Sequence, residues 1–346
     1  MDDNPQTNAL KNWYQSRGTR LGSHYLMGEA RHFGWWDKDT TWPFPLRPAL
    51  RRMEHQLAFR LDLPPESYVL DLGCGAGGVA FTMAKNFGLR VRGIDITPAH
   101  LKLASEYISA VVKDGEIDAG RVTVEQMDFN HLETIPDASM DGAYSMETLV
   151  HSTDLKGLFV GLFRVLRPGA HIAHGEYECT LPDKDSRLTQ QLVRILDNSG
   201  MPRELAPGIW KRTLEEAGFV DIQIEDVTWH IAPLARLFFA LSVVPGVFYH
   251  LFRLDRYFIG TASATFIPFI ALKSFPSYLM ISARKPDEGE SFEARSPTEE
   301  ETPPVREDFK WTWALFGRPP EPRRGSQGNC IKEQEPREGS GLLPMA

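Results

Sequence analysis

Cysteine is scarce in this chain, at three of 346 residues. Cys74, Cys179 and Cys330 lack the paired spacing of a disulfide framework or of a metal-binding cluster. A disulfide-stabilised secreted domain and a cysteine-ligated metal site are therefore excluded as interpretations. We expect a reducing compartment and no metal.

Basic residues are in the minority, with 38 Lys and Arg against 46 Asp and Glu, for a formal net charge of −8. Nucleic-acid-binding domains are normally basic, so we expect no nucleic-acid partner. The stretch 287–346 is acidic and rich in Pro, Glu, Arg, Gly and Ser, and we predict a disordered tail there because such segments bury too little apolar surface to fold. It contains one aromatic island, FKWTWALF at Phe309–Phe316.

Long uninterrupted apolar runs are also absent. The most apolar stretch, Leu234–Phe252, is interrupted by Arg236, by the Pro245-Gly246 pair and by His250, whereas a membrane span needs about 20 apolar residues. The amino-terminal sequence MDDNPQTNALKNWYQ lacks the apolar core of a signal peptide. We expect a cytoplasmic protein, with peripheral membrane contact left open.

What the chain does contain is a regular alternation of strand and helix patterns. Alternation of this kind predicts an α/β fold, with a mostly parallel sheet covered by helices on both faces. An apolar insertion at residues 229–277 separates the sixth strand from the seventh; if the sixth strand is parallel, the insertion begins at the ligand-binding edge. The predicted strands begin at Tyr68 and lie at Arg90–Ile94, Arg121–Gln126, Asp141–Met146, Ala170–Glu178, Phe219–Val227 and Tyr278–Arg284; the predicted helices are Val79–Phe87, Pro98–Val112, Asp154–Leu166 and Pro207–Ala217.

A glycine-rich loop follows the first strand, in the run YVLDLGCGAGG that begins at Tyr68. Acidic residues end the first three strands: Asp71 before the glycines, Asp95 after the second strand and Asp128 after the third. Asp71 suits an ammonium or sulfonium group, Asp95 two ribose hydroxyls, and Asp128 an exocyclic adenine amine. The loop lacks the Lys-Ser/Thr ending of a phosphate loop. The alternative roles are a turn carboxylate, a helix cap before Pro98 and a simple strand end, respectively.

The motifs VLDLGCGAGG, GIDIT and MDF, at this spacing, resemble those of class I S-adenosylmethionine-dependent methyltransferases. The segments SMETLVHS, FRVLRPGAHIAHGEYECTLPDKD, GMPRELAPGIWKRTLEEAGF and LMISARKP resemble the sterol 24-C-methyltransferase group, and HFGWWD resembles its tocopherol-methyltransferase-like branch. This resemblance implies a Rossmann-like class I methyltransferase sheet and S-adenosyl-L-methionine as the cofactor. It assigns cofactor binding to Asp71, Gly73, Gly75, Gly77, Asp95, Ile96, Asp128 and Phe129.

Candidate catalytic residues follow the fourth and fifth strands. Glu147 and His151 lie on one face if a helical turn begins there, and His suits proton removal near neutral pH. Glu176 and Glu178 alternate around Tyr177 and face one side of their strand. We predict catalytic roles for His151, Glu147 and Glu178, and a substrate-binding role for Glu176. A packed histidine and a solvated strand end are the structural alternatives.

Aromatic residues near the amino terminus are candidates for substrate binding. Tyr25, Trp35 and Trp36 lie in HYLMGEARHFGWWD, which departs from the signature of the sterol enzymes. Aromatic faces attract cations by about 0.5 to 2 kcal/mol each, so they suit a sulfonium or a carbocation. Core packing accounts equally well for each ring. Cys74, beside the glycines, is interpreted as a packing residue.

The predicted function is methyl transfer from S-adenosylmethionine to carbon, oxygen or nitrogen of a lipophilic small molecule such as a sterol or terpenoid. One alternative keeps the cofactor but uses it for cyclopropanation or rearrangement; another is a non-catalytic membrane-surface or partner-binding protein. The predicted organisation is a substrate-capping segment at 1–50, a methyltransferase domain at 51–286 with an apolar lid at 229–277, and the tail at 287–346. The oligomeric state is left open.

Overall fold

The computed structural model describes residues 32–178, 205–252 and 277–290. Tyr25, Cys179, Cys330, the aromatic island, the later part of the lid and the tail beyond 290 lie outside these ranges. The helices are α1 Leu46–Leu61, α2 Gly78–Phe87, α3 Pro98–Lys113, α4 Leu155–Val165, α5 Ile209–Ala217 and α6 Thr228–Leu251; the strands are β1 Tyr68–Leu72, β2 Arg90–Asp95, β3 Val122–Gln126, β4 Met140–Met146, β5 Leu166–Glu178, β6 Val220–Asp226 and β7 Ser277–Arg284.

Seven strands form one sheet in the order β3-β2-β1-β4-β5-β7-β6. Strands β1 to β5 are parallel, and β7 is antiparallel to both of its neighbours, β5 and β6. The sixth strand therefore runs in the same direction as the first five, which meets the condition under which the insertion begins at the ligand-binding edge. Strand β2 lies on one side of β1 and β4 lies on the other, so the direction in which strands are added reverses at β1. Open α/β sheets bind ligands at such a switch point.

Helices cover both faces of the sheet because alternate strand residues point to opposite sides. On one face, Leu70 and Leu72 pack with Phe159 and Trp210 from α4 and α5. On the other, Val69 packs with residues of α1 and α2 such as Met53 and Met83. The predicted α/β fold is confirmed.

One predicted boundary was wrong. Helix α4 ends at Val165, and β5 begins at Leu166, so the Arg-Pro-Gly triplet lies inside the strand and not between the two elements. Gly169 has a φ of +74°, which glycine adopts without a steric penalty and which lets the strand bend there. The pairing register between β4 and β5 shifts at this end, between Met140 and Gly142.

The apolar insertion begins as helix α6, directly after the carboxyl end of β6. The helix continues through Pro245 and Gly246, the pair that interrupts the apolar stretch in the sequence. Among the described helices, α6 included, none combines the length and apolar character needed to cross a bilayer.

Candidate active site

Two adjoining cavities lie at the carboxyl edge of the sheet, where β1, β2 and β4 end. The glycine-loop cavity, of about 370 Å³, is lined by His32, Asp71, residues 73–76, residues 78 and 79, and Met146. The strand-end cavity, of about 550 Å³, is lined by Gly73, Gly75, residues 95–97, His100, Phe129, residues 146–148 and His151. Gly73, Gly75 and Met146 line both cavities, so one elongated ligand can occupy the two together.

The glycine loop is shaped by backbone angles that favour glycine. Gly73, Gly75 and Gly77 have φ values of +77°, +54° and +85°. A Cβ on Gly73 would collide with the side chain of Thr148, whereas a Cβ on Gly75 would meet nothing within 4 Å. Position 73 therefore requires glycine because the Thr148 side chain lies too close for a Cβ. At Gly75 the space beside the backbone is open to a ligand.

Asp95 ties this loop to the start of α3. Its Oδ2 accepts a hydrogen bond from the Gly75 N–H at 3.0 Å, and its Oδ1 accepts one from the Thr97 N–H at 2.7 Å. His100 Nδ1 lies 3.2 Å from Oδ2. The carboxylate is buried and lines the strand-end cavity next to Ile96.

Asp71 lies in the glycine-loop cavity at the end of β1, where it accepts a hydrogen bond from the Tyr144 hydroxyl at 3.0 Å. Burial raises the pKa of Asp71 to about 7, against the lowering effect of Tyr144. Cys74 is buried beside it, and a Cβ on Gly93 would collide with Cys74. This contact favours the packing interpretation of the cysteine.

The residues after β3 divide between two roles. Phe129 is buried and lines the strand-end cavity. Asp128 Oδ1 accepts hydrogen bonds from the backbone N–H of Asn130 at 2.9 Å and from its side-chain amide at 2.8 Å. The Asp128 carboxylate thus holds the turn that follows β3, and it is not among the residues that line either cavity.

Glu147 and His151 both line the strand-end cavity, but not on a shared helical face. The 3₁₀ turn spans Leu149–His151 and leaves Glu147 outside, with a left-handed φ of +56°. The helical turn on which a shared face depended does not begin at Glu147, because the chain turns sharply there before the 3₁₀ turn starts at Leu149.

Three donors surround the Glu147 carboxylate. Oε1 accepts from the Phe33 N–H at 2.6 Å and from the Tyr278 hydroxyl at 3.1 Å, and Oε2 accepts from the Tyr177 hydroxyl at 2.5 Å. Burial raises the pKa of Glu147, while these donors and His32 lower it. No local sequence pattern indicates this cluster, because Glu147 and its three donors come from four separate parts of the chain.

Glu176 lies behind the cavity and holds its wall. Its fully buried carboxylate accepts hydrogen bonds from the Ser145 hydroxyl at 2.8 Å and from the backbone N–H groups of Thr148, Leu149 and Val150 at 3.1, 2.8 and 3.3 Å. Because Ser145 donates to Glu176, the 2.9 Å contact from His174 Nδ1 makes the histidine the donor to Ser145. Burial lowers the pKa of His174 to about 3, so its ring is neutral.

Glu178 lies one step further from the cavities. It is partly exposed and accepts a hydrogen bond from the Gly208 N–H at 2.8 Å, at the start of α5. Neither Glu176 nor Glu178 is among the residues that line the two cavities. Both were expected there because they share a strand face, but that face meets the turn after β4 and the start of α5.

The two tryptophans join the amino-terminal segment to α6. Trp36 is buried; its indole N–H donates to the Pro43 carbonyl at 3.2 Å, and its backbone N–H donates to the His230 carbonyl at 3.0 Å. Trp35 stacks on the His230 ring at a centroid distance of 3.8 Å, with the Arg60 guanidinium 5.7 Å from its ring. Neither ring lines the glycine-loop cavity or the strand-end cavity, which favours the core-packing interpretation of both.

Replacing Glu176 with alanine is expected to lower the free energy of unfolding by about 3 kcal/mol or more, because three buried backbone N–H groups lose their acceptor. Glu176→Gln retains one acceptor oxygen and should lose less. Urea denaturation of the two variants tests this. Equal losses would contradict an acceptor role.

The same pair gives a pH test. Burial raises the pKa of Glu176 from an ordinary 4.5 to about 7. The stability contributed by the protonated form is fully present below the ordinary pKa and is lost as pH rises to about 7. In Glu176→Gln, the free energy of unfolding should lack this part of its pH dependence. Asp71 contributes its own pH dependence to the wild-type protein and to the variant alike.

With this geometry established, comparison with known proteins gives the family. A family model described as "Methyltransferase domain" matches residues 70–174. The chain is 36% identical over 284 residues to the S-adenosyl-L-methionine-dependent Diels-Alderase iccD of Talaromyces variabilis, covering 80% of this chain and 95% of that protein. It is 30% identical to the sterol 24-C-methyltransferase of Yarrowia lipolytica, over 58% of this chain and 51% of that protein.

Among solved structures, the [4+2]-cyclase SpnF matches with a TM-score of 0.61 at 22% identity, over 82% of this chain and 96% of that one. At this identity the match supports the fold alone. The predicted Rossmann-like class I fold is thus confirmed. Sterol methyltransferases are among the relatives, but they do not assign this chain to the sterol methyltransferase branch of the family.

The residues present fit the predicted cofactor. The two joined cavities offer a carboxylate at each end, Asp71 and Asp95, and an open backbone at Gly75 between them. The matched relatives belong to a family whose cofactor is S-adenosylmethionine, the cofactor that the sequence predicts. The chain belongs to the class I S-adenosylmethionine-dependent methyltransferase family.

Proposed function

We propose that this protein is an S-adenosylmethionine-dependent enzyme that promotes an intramolecular [4+2] cycloaddition of a lipophilic polyene. The observation that carries the proposal is the hydrogen bonding of Glu147, the acid expected to take a proton at the end of β4. Its carboxylate accepts from Phe33, Tyr177 and Tyr278, so three of its roughly four acceptor positions are occupied by groups of the protein. The name of the Talaromyces relative, a Diels-Alderase, supports the same reaction class.

The chemistry of the cycloaddition suits such a site. A diene and an alkene within one molecule convert three π bonds into two new σ bonds and one π bond. No proton, electron pair or group leaves the substrate, so no general base is needed. Methyl transfer to a hydroxyl or amine, in contrast, releases a proton that a positioned base must accept.

The residues that would hold the cofactor are those at the two carboxylate-bearing ends. Asp95 would accept from the ribose hydroxyls, Asp71 would face the methionine end, and Gly75 would allow close backbone contact. When bound, the cofactor supplies a fixed positive charge beside the substrate. The protein's own part is to exclude water and to hold the substrate in a reactive conformation, which accounts for much of the acceleration of reactions of this kind.

The segments predicted to cover the substrate meet in the described part of the chain. Backbone N–H of Trp36 donates to His230 O at 3.0 Å, and the His230 ring lies 2.6 Å from the Trp36 carbonyl. This pairing joins the start of α6 to the amino-terminal segment. It supports the proposal that residues 1–50 cap the site together with the apolar lid at 229–277.

Methyl transfer is the second candidate, and His151 favours it. The imidazole lines the strand-end cavity, and histidine is the side chain best suited to accept a proton near neutral pH. In this case the acceptor would be an oxygen or nitrogen of the lipophilic substrate. The sterol 24-C-methyltransferase relative is also named for methyl transfer, in its case to carbon.

Labelled cofactor distinguishes the two reactions. Purified protein is incubated with an organic extract of the source cells and S-adenosylmethionine that carries a deuterated methyl group, and products are analysed by mass spectrometry. Cycloaddition gives an isomer of the substrate with unchanged mass and no deuterium. S-adenosylhomocysteine lacks the positive charge of the cofactor, so it should support cycloaddition only to the extent that this charge is not needed. A product that carries the labelled methyl group would contradict cycloaddition and establish the second candidate.

A further inference from the structure

The outer face of helix α1 is basic. Residues four apart share a face of a helix, and Arg47, Arg51 and His55 form one such row. Arg52 lies beside this row, and all four residues are exposed. The one acid of the helix, Glu54, is buried. A chain with a formal net charge of −8 therefore exposes on α1 a face that carries arginines and no acid.

The acids that contact this face offset only part of its charge. Arg51 pairs with the buried Glu54 at 3.0 Å, and Arg52 pairs with the exposed Asp37 at 3.3 Å. Arg47 forms no ion pair with any residue that the structure describes. Because an exposed pair such as Arg52 with Asp37 is weak in water, the outer face of α1 stays positive.

Exposed aromatic rings adjoin the basic face. Trp42 and Phe44, which directly precede α1, are 62% and 43% exposed, and their ring centroids lie 5.7 Å apart. Phe59 is also exposed and continues the outer face of α1 towards the end of the helix. Large apolar side chains exposed together indicate an interaction surface, and tryptophan is enriched at the boundary between water and lipid.

We propose that this face docks the protein on a bilayer that contains anionic lipid. The α1 surface, as we call it, comprises Trp42, Phe44, Arg47, Arg51, Arg52 and Phe59. Its arginines would lie among the anionic head groups, and its rings would enter the boundary between head groups and acyl chains. An anionic bilayer matches both the charge and the rings, whereas an acidic protein would match the charge alone.

Docking through the α1 surface would hold the candidate active site close to the membrane. Glu54, on α1, lies 3.3 Å from His32, and His32 lines the glycine-loop cavity. Both candidate reactions act on a lipophilic substrate, which partitions into bilayers. The proposal therefore applies to either reaction and does not depend on which of them the protein performs.

Vesicle flotation with the full chain tests the proposal. Wild-type protein should float with vesicles of phosphatidylcholine and phosphatidylserine in equal amounts, and much less with phosphatidylcholine alone or at high salt. Arg47→Gln should lower the partition coefficient about fivefold, because it removes one positive charge near an anionic surface. Trp42→Ala should lower it by at least as much. Arg212→Gln is the matched control and should bind as wild type, since Arg212 is exposed on α5, across the sheet from α1.

Two results would overturn the proposal. One is failure of the wild-type protein to float with either kind of vesicle. The other is wild-type flotation by both Arg47→Gln and Trp42→Ala, because a different surface would then bind the lipid. Binding of poly-glutamate through Arg47 without flotation would also overturn it and assign the α1 surface to an acidic protein. Circular dichroism checks that the variants fold, and flotation requires no substrate, so failure of the proposed function would leave this test intact.

Discussion

Replacing Asp95 with alanine should weaken S-adenosylhomocysteine binding by roughly 100-fold or more. A hydrogen bond to a charged group contributes about 1.5 to 3 kcal/mol, and in the proposed cofactor site the carboxylate would accept from two ribose hydroxyls. The substitution also removes the acceptor of the Gly75 and Thr97 N–H groups, so the loop that frames the cavity loses its anchor. Calorimetry or equilibrium dialysis gives the affinity directly.

Two further variants keep this prediction specific. Asp118→Ala removes an exposed carboxylate, 88% exposed and 3.7 Å from Arg121, and should leave affinity unchanged. Asp95→Asn retains one acceptor oxygen and should fall between wild type and alanine. Wild-type affinity in Asp95→Ala would show that Asp95 serves only the backbone around α3.

Replacing Gly73 with alanine is expected to be the most damaging single-methyl change in the loop. The new Cβ would lie well under 3.0 Å from the Thr148 side chain, at a φ of +77° that alanine rarely adopts. Thr148 cannot retreat easily, because its N–H donates to Glu176 at 3.1 Å and its hydroxyl to the Met146 carbonyl at 3.1 Å. We expect a loss of about 2 to 4 kcal/mol in the free energy of unfolding, combining the clash with the backbone strain. Cofactor affinity should fall with it.

The chain offers a control for each part of that loss. Gly120 has a φ of +79° and open space around its missing Cβ, so Gly120→Ala reports the backbone strain alone, about 1 kcal/mol. Thr148→Ser removes the methyl group that Gly73→Ala strikes and keeps the hydroxyl. The double variant should recover most of the clash term in urea denaturation. No recovery would mean that Thr148 does not limit the space at Gly73.

The sequence located the strands and the first half of the site well, for a physical reason. Parallel strands end at one edge, so Asp71, Asp95 and Phe129, each at or just after the end of a strand, had to approach a common region. Their positions in the two cavities agree with this reasoning. Asp128 is the exception, because its carboxylate finds a nearer partner in Asn130.

The second half of the site depends on contacts that no local pattern encodes. Glu147 meets Phe33, Tyr177 and Tyr278, which are 114, 30 and 131 residues away in the chain. Strand spacing correctly placed Glu176 on one face, but could not show that this face meets the backbone of the turn after β4.

The sequence by itself determined the α/β fold, the glycine loop and the carboxylates that flank it, because periodicity and strand ends are local properties. Only the tertiary structure decided which acids face the cavities and which hold backbone, that Trp35 and Trp36 pack against α6, and that His32 joins Asp71 at one cavity. Those outcomes depend on which distant groups satisfy each buried charge, since a buried polar group without a partner is costly and the nearest partner is set by the packed fold.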